Sequence, residues 1–203
     1  MSISAEERQM VGAAIKAAEA ATSGEIVCVL ARASSDYAYV PLIWAALAAL
    51  LVPWPLIAFT LWPVQWIYAT QLAAFIALAL LLSAPWLRMQ LVPRRIRRLR
   101  AHRAAAEQFI IRGVSRTKAR TGILIYVSLA ERYARIIADD GIATKVAQSE
   151  WDSTLETLIG ECRNHRVAAG FVAAVAACGR ILATHFPAGA ENLDELPDRL
   201  YLI

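Results

Sequence analysis

Residues 37–87 read YAYVPLIWAALAALLVPWPLIAFTLWPVQWIYATQLAAFIALALLLSAPWL, fifty-one positions without one Asp, Glu, Lys or Arg. One membrane crossing needs about 20 apolar residues, so this length suits two crossings joined by a tight turn. The expected spans are Val40–Trp62 and Val64–Leu87. Pro53-Trp-Pro55 falls inside the first and must kink or break it, because proline removes a backbone donor and crowds the preceding turn. A shallow re-entrant segment is the alternative to a full crossing there. Pro63, flanked by Trp62 and Trp66, suits the far turn, and Trp44 and Trp86 fall near the opposite ends of the spans. Tryptophan favours headgroup depth, and four of the chain's six stand where two interfacial belts need them.

The stretch is closed by charge. Arg88, Arg94, Arg95, Arg97, Arg98, Arg100 and Arg103 lie within sixteen residues that contain no acid. The net charge of +4 is therefore local, and the remainder of the chain sums to −3. Arginines next to a span stay on the cytoplasmic side, and both ends of a hairpin share a side. The expectation is an inner-membrane, multi-pass protein with its soluble domain and both termini in the cytoplasm. The same arginines, on a helix running from Arg94 through Ile96, Leu99, Arg103 and Ala106 to Phe109-Ile-Ile-Arg-Gly113, are candidates to lie against anionic lipid headgroups. The alternative is a topology signal and nothing more. Nucleic-acid binding is not expected, since the patch abuts a span and has no aromatic residue to stack on bases.

Of 203 residues, 58% are hydrophobic and the mean hydropathy is +0.45, an excess concentrated in the hairpin. The remaining length suffices for one compact domain. The expected organisation is a first part at 1–36, the hairpin at 37–87, a basic juxtamembrane segment at 88–103 and the remainder of the domain at 104–203. Cys28, Cys162 and Cys178 are odd in number and lack CxxC spacing, which indicates neither a disulfide framework nor a standard zinc module. The N-terminus is polar and lacks the order of a cleaved signal peptide.

In the soluble parts, Ser4 with Glu7 makes a capping box. Val11, Ile15 and Ala18 recur at helical spacing, and Gly24 is the expected stop. Glu25-Ile-Val-Cys-Val-Leu-Ala31 reads as a buried strand. Thr121–Ala130 and the alternating Tyr133–Ala138, joined at Glu131-Arg132, read as a β-hairpin ending in a turn at Asp139-Asp-Gly141. Ser149, with Asp152 three residues on, is expected to cap a helix whose buried face is Trp151, Leu155, Leu158 and Cys162. Val167–Cys178 is apolar but short, which favours a packed helix over a third span. Gly179 is expected to stop it, with Arg180–Phe186 as a final strand and Asn192–Asp198 as an acidic tail. The expected class is α/β, a small sheet sandwiched by helices and interrupted by the two-helix hairpin.

The order of four pieces carries a resemblance: Ser23-Gly-Glu-Ile-Val27; Arg120-Thr-Gly-Ile-Leu-Ile-Tyr-Val-Ser-Leu-Ala-Glu-Arg132; Ile136-Ile-Ala-Asp-Asp-Gly-Ile142; and His185-Phe-Pro187 followed by Asp194-Glu-Leu-Pro-Asp198. The chain resembles the TPM domain family, specifically bacterial membrane members with a hairpin inserted after the first strand. The resemblance implies the same sandwich. Characterised members act in photosystem II repair or as receptor accessory subunits, and weak acid-phosphatase activity and calcium binding are attributed to plant members. Those members present the domain to the lumen or cell exterior, whereas the arginines here argue for cytoplasm. The family's glycine-rich turn appears here as Asp139-Asp-Gly-Ile142, so its acidic neighbourhood does not transfer by position.

For chemistry, Asp139 and Asp140 are the candidate metal ligands, since adjacent carboxylates at a strand end suit a hard cation such as Ca²⁺ or Mg²⁺; the plain alternative is turn chemistry with no cofactor. Cys162 with His165, and Cys178 with His185, are read as structural rather than as a zinc site. Thr117, Arg120 and Thr121 are read as a solvated loop, with anion binding as the alternative. The chain has no GxSxG elbow, no GxxxxGK[ST] loop, no dinucleotide fingerprint and no DxDx[TV] pair. The expected role is a non-catalytic, membrane-anchored accessory or assembly/repair factor working on another membrane protein. The alternative is a weak metal-dependent phosphatase using Asp139 and Asp140.

Overall fold

The computed structural model describes residues 3–189 and 195–203, with Pro85 and Trp86 described through their backbone alone. Two compact units are present, one made of 1–34 with 100–203 and the other of 35–99.

The first unit opens with α1 (Ala5–Glu19) at the expected capping box: the Glu7 N–H donates to Ser4 Oγ at 3.1 Å and the Ser4 N–H to Glu7 Oε2 at 2.8 Å. Four strands follow along the chain, β1 (Glu25–Ala31), β2 (Gly122–Ser128), β3 (Tyr133–Ala138) and β4 (Leu200–Leu202), in the sheet order β3-β2-β1-β4. β1 pairs in parallel with β2 (Cys28 opposite Ile125) and with β4 (Cys28 opposite Leu200). β2 and β3 form the expected antiparallel hairpin.

Every residue of β1 and β2 is buried, as fits central strands covered on both faces. Ile26, Cys28, Leu30, Ile123, Ile125 and Val127 point into a core with α1, α8 (Gln148–Arg163) and α9 (Val167–His185). Val27, Val29, Leu124 and Tyr126 point the other way, onto Ala105 and Phe109 of α6 (Arg94–Ile111). The unit is thus a mixed α/β sandwich, a small four-stranded sheet flanked by helices. α6 ends before Gly113, whose φ of +74° suits glycine.

Several expectations are corrected here. Gly24 does not stop α1, which ends at Glu19 with Ala20 in helical conformation; Gly24 instead lies where a Cβ would come 2.8 Å from Leu182 Cδ1. Gly179 stops nothing either, and Arg180–Phe186 is not a strand: α9 runs unbroken through 179 to His185. Gly179 sits at the crossing of α1 and α9, where a Cβ would meet Ala18 Cβ at 2.7 Å, and Leu182 continues the buried stripe of Val175 and Cys178 at helical spacing. Close packing there overrides the stop signal and the strand propensity. The last strand is β4.

Residues 139–143 are not only a turn, since Asp139 caps a single helical turn, α7 (Asp140–Ala143). The cap of α8 is Ala147, not Ser149, and the Glu150 carboxylate accepts the Ala147 N–H at 3.2 Å. Of the acidic tail and the fourth piece of the resemblance, residues 192–194 lie outside the described residues.

The second unit contains α2 (Tyr39–Leu51), α3 (Pro53–Phe59), α4 (Val64–Leu82) and α5 (Pro85–Leu91). Pro53 falls at the first position of α3, where its missing N–H costs nothing, and Val52 keeps helical angles. The prolines therefore interrupt the ladder without a loop, and Tyr39–Phe59 counts as one 21-residue apolar run of mean hydropathy 2.2. α2 packs on α4 with Ala45, Ala49 and Ile67 buried. Trp44, Trp62 and Trp66 are exposed; the side chain of Trp86 lies outside the described set.

Among the described residues, three helices are long and apolar enough to cross a membrane: Tyr39–Phe59, Val64–Leu82 and Val167–His185. Burial separates them. The most apolar windows of the first two are 11% and 6% buried, whereas that of α9 is 50% buried because it carries the core of the sandwich.

Candidate functional site

The polar side chains of the sandwich gather at the two edges of the sheet. At the edge where β1 and β2 begin and β3 ends, Arg120 has a positive φ of 55° and its guanidinium clasps Asp139 by two bonds, Nε to Oδ2 and Nη2 to Oδ1, each 2.9 Å. Nη2 also donates to Asp140 Oδ2 at 2.8 Å. Asp139 is 3% exposed and Asp140 is 88% exposed. Asp139 Oδ1 further accepts the Asp140 N–H at 2.8 Å, so its buried charge is both paired and hydrogen-bonded. Asp139 first, then Asp140, push the Arg120 guanidinium further toward its charged form.

The structure thus brings together the two carboxylates singled out from the sequence, and adds Arg120 between them. A divalent cation at this pair meets a guanidinium already holding the same oxygens, so the donor set does not fit a metal without displacing Arg120. Among the described residues no group of three or more His, Cys, Asp or Glu side chains is placed to hold an ion. Arg120 is likewise engaged rather than open to an external anion, and Thr121 Oγ1 donates to the Ser23 carbonyl at 2.9 Å. Thr117 Oγ1 is buried with no partner among the described residues.

Beside this clasp stand two buried acids, Glu25 and Glu19, that no motif in the sequence marks. The Glu25 carboxylate accepts the N–H groups of Glu195 (3.3 Å) and Leu196 (3.0 Å), and that of Glu195 accepts the Lys118 N–H at 3.2 Å. Glu19, 9% exposed, accepts the Ile26 N–H at 2.6 Å and is hydrogen-bonded to the Asp198 carboxyl. Burial, then the bond to Asp198, push the Glu19 carboxyl up to about 10, with the Ile26 N–H opposing. Its position was legible, because Glu19 stands four residues after Ile15 on the stripe of Val11 and Ile15.

At the opposite edge, Glu131 is buried and accepts the Ser34 N–H at 3.0 and 3.1 Å and the Ser128 hydroxyl. Ser34 Oγ bonds Tyr126 OH at 2.9 Å, and burial raises the Tyr126 phenol. This network fixes the chain at the last residue before the second unit.

The remaining sequence candidates are dispersed. Cys28 and Cys178 are buried core thiols raised by desolvation, and Cys162 is half-buried. His165 lies past the end of α8 with φ 61°, so it shares no helical face with Cys162. His185 ends α9, with Nε2 3.9 Å from Glu150 Oε2. Of the seven arginines, Arg94, Arg95, Arg98 and Arg103 are exposed on α6, Arg97 and Arg100 are half-buried there, and Arg88 on α5 pairs with Asp36 at 3.4 Å.

The profile of the TPM domain family matches residues 92–181, which begin just before α6 and end within α9. No curated protein matches the chain. Among solved structures, the BA42 protein from the psychrophilic bacterium Bizionia argentinensis is similar, at 21% identity and a TM-score of 0.64, over 100% of this chain and 97% of the other. At that identity the likeness speaks to the fold alone.

Proposed function

We propose that this chain is a membrane-anchored accessory or assembly factor, non-catalytic, whose TPM-like sandwich is held at the cytoplasmic face of the inner membrane by its hairpin and works on another membrane protein. One observation carries the reading: a well-packed α/β unit is interrupted by a 35–99 unit whose two apolar helices leave their most apolar windows 11% and 6% buried. Exposed apolar surface of that extent is a membrane or partner surface. The arginines of α5 and α6 follow directly and set the orientation by the positive-inside tendency. They also suit anionic headgroups, at about 1 kcal/mol per arginine near the surface. The polar groups at the sheet edges are satisfied mostly by one another, which suits a scaffold better than a reacting centre.

The test is topology followed by capture. Protease added outside intact cells is expected to leave the region beyond residue 104 uncut, and photo-crosslinkers placed along α6 are expected to trap lipid or a membrane protein. Cleavage from outside, or a purified chain that stays monodisperse without detergent, overturns the reading.

A further inference from the structure

We infer that two copies of this chain pair side by side in the bilayer through a groove between α2 and α4 centred on Gln71. The inference rests on the reading that the hairpin crosses the membrane. The groove, about 480 Å³, is lined by Ala46, Ala49, Leu50, Tyr68, Gln71 and Phe75.

Gln71 differs from the Thr and Ser side chains along the spans. Thr60, Thr70 and Ser83 each donate to a carbonyl one turn back on their own helix, at Leu56, Trp66 (2.8 Å) and Ala79 (2.6 Å). The Gln71 amide, with two N–H donors and a carbonyl, makes no hydrogen bond to the described residues. It stands seven residues into the 19-residue α4, roughly 11 Å from its start and so inside a hydrocarbon layer of about 30 Å. No water is at hand there, and an acyl chain filling the groove leaves the amide unpaired. The occupant must bring a hydrogen-bonding group to that depth.

A second copy does so by symmetry. Both ends of each hairpin lie on one side, so the two-fold axis relating identically inserted copies is parallel to the membrane normal. Equivalent residues then lie at equal depth, and with the groove on the axis Gln71 faces Gln71. The side chain carries both donor and acceptor, so each amide satisfies the other in an isologous contact. Tyr68, Gln71 and Phe75 follow the three-and-four spacing of a helix–helix seam, and the two alanines allow close approach.

The experiment uses the full-length chain labelled with donor or acceptor dye in phosphatidylcholine–phosphatidylglycerol vesicles over falling protein-to-lipid ratios. Energy transfer is expected to saturate as for a pair. Gln71→Leu is expected to weaken pairing roughly three- to tenfold, and Gln71→Asn to retain it. Oxidised Gln71→Cys is expected to give a disulfide-linked pair, and Ala73→Cys, on the far side of α4, is not. Transfer no greater than that of randomly placed monomers, an unchanged Gln71→Leu variant, or equal cross-linking at 73 overturns the pairing. Alkaline carbonate extraction separates the two failures: a chain released from membranes refutes the crossing itself, whereas one retained but monomeric refutes only the pairing.

Discussion

Replacing Glu19 with Gln is expected to stabilise the sandwich at neutral and alkaline pH. In the native state the Glu19 carboxyl keeps its proton up to about 10, because it is buried and bonded to Asp198. In the unfolded chain the same group ionises near 4.5. The raised pKa of an acid makes the folded state the tighter proton binder. Stability is thus at its full value below 4.5 and falls as pH rises toward 10, by about 1.4 kcal/mol per pH unit. At pH 7 the accumulated cost is on the order of 3 kcal/mol, a large share of a domain's stability. Gln keeps the oxygen that accepts the Ile26 N–H and offers Asp198 an N–H where the carboxyl offers O–H, but it has no proton to lose. The readout is labelling of the buried Cys28 and Cys178 thiols by a thiol-reactive dye in the full chain in detergent micelles, as denaturant is raised at pH 5, 7 and 9. The variant and the parent are expected to converge at pH 5 and diverge with pH in favour of the variant. Parallel pH profiles, or a less stable variant at pH 9, refute the reasoning.

Gly179→Ala is expected to destabilise the α1–α9 crossing by about 1–3 kcal/mol, since its Cβ arrives 2.7 Å from that of Ala18; Ala18→Gly in the same chain is expected to recover much of the loss, read as a melting temperature. Arg120→Ala is expected to lower the melting temperature more in the parent than in an Asp139→Asn background, because only the parent is left with an unpaired buried carboxylate; additive effects in the double-mutant cycle refute the clasp. Asp139→Asn with Asp140→Asn is expected to leave background hydrolysis of a generic phosphomonoester unchanged with Ca²⁺ or Mg²⁺ present, and a loss of turnover restores the phosphatase reading.

The elements legible in the sequence were those whose pattern and packing agree. Glu25–Ala31 and Tyr133–Ala138 announce themselves by apolar runs and alternation, and the Ser4–Glu7 box fixes the start of α1. The errors fall where tertiary contact overrules a local signal. Gly24 and Gly179 look like helix stops, yet both are small because Leu182 and Ala18 press on them. β4, at three residues, offers too little periodicity to be seen and exists only because β1 has a free edge. At the candidate site, Asp139 and Asp140 were visible as adjacent acids, but their guanidinium partner stands nineteen and twenty residues away and is found only when β2 and β3 pair. Glu25 and Glu131 were hidden because an acid at a strand end reads as solvated until the covering segments are in place.

The crossover from β1 to β2 has a consequence for how the molecule is made. β1 is buried on both faces in the finished sheet, but its first neighbour, β2, is synthesised only after some ninety intervening residues, the hairpin among them. At ribosomal speeds of roughly 5–20 residues per second, that strand waits many seconds with a bare, β-branched surface. The sandwich cannot close until β2 is made, and on the membrane-anchored reading proposed above the hairpin is therefore exposed to the bilayer before the domain folds. Until β2 arrives, Ile26–Ala31 is an unpaired apolar strand open to pairing with another chain.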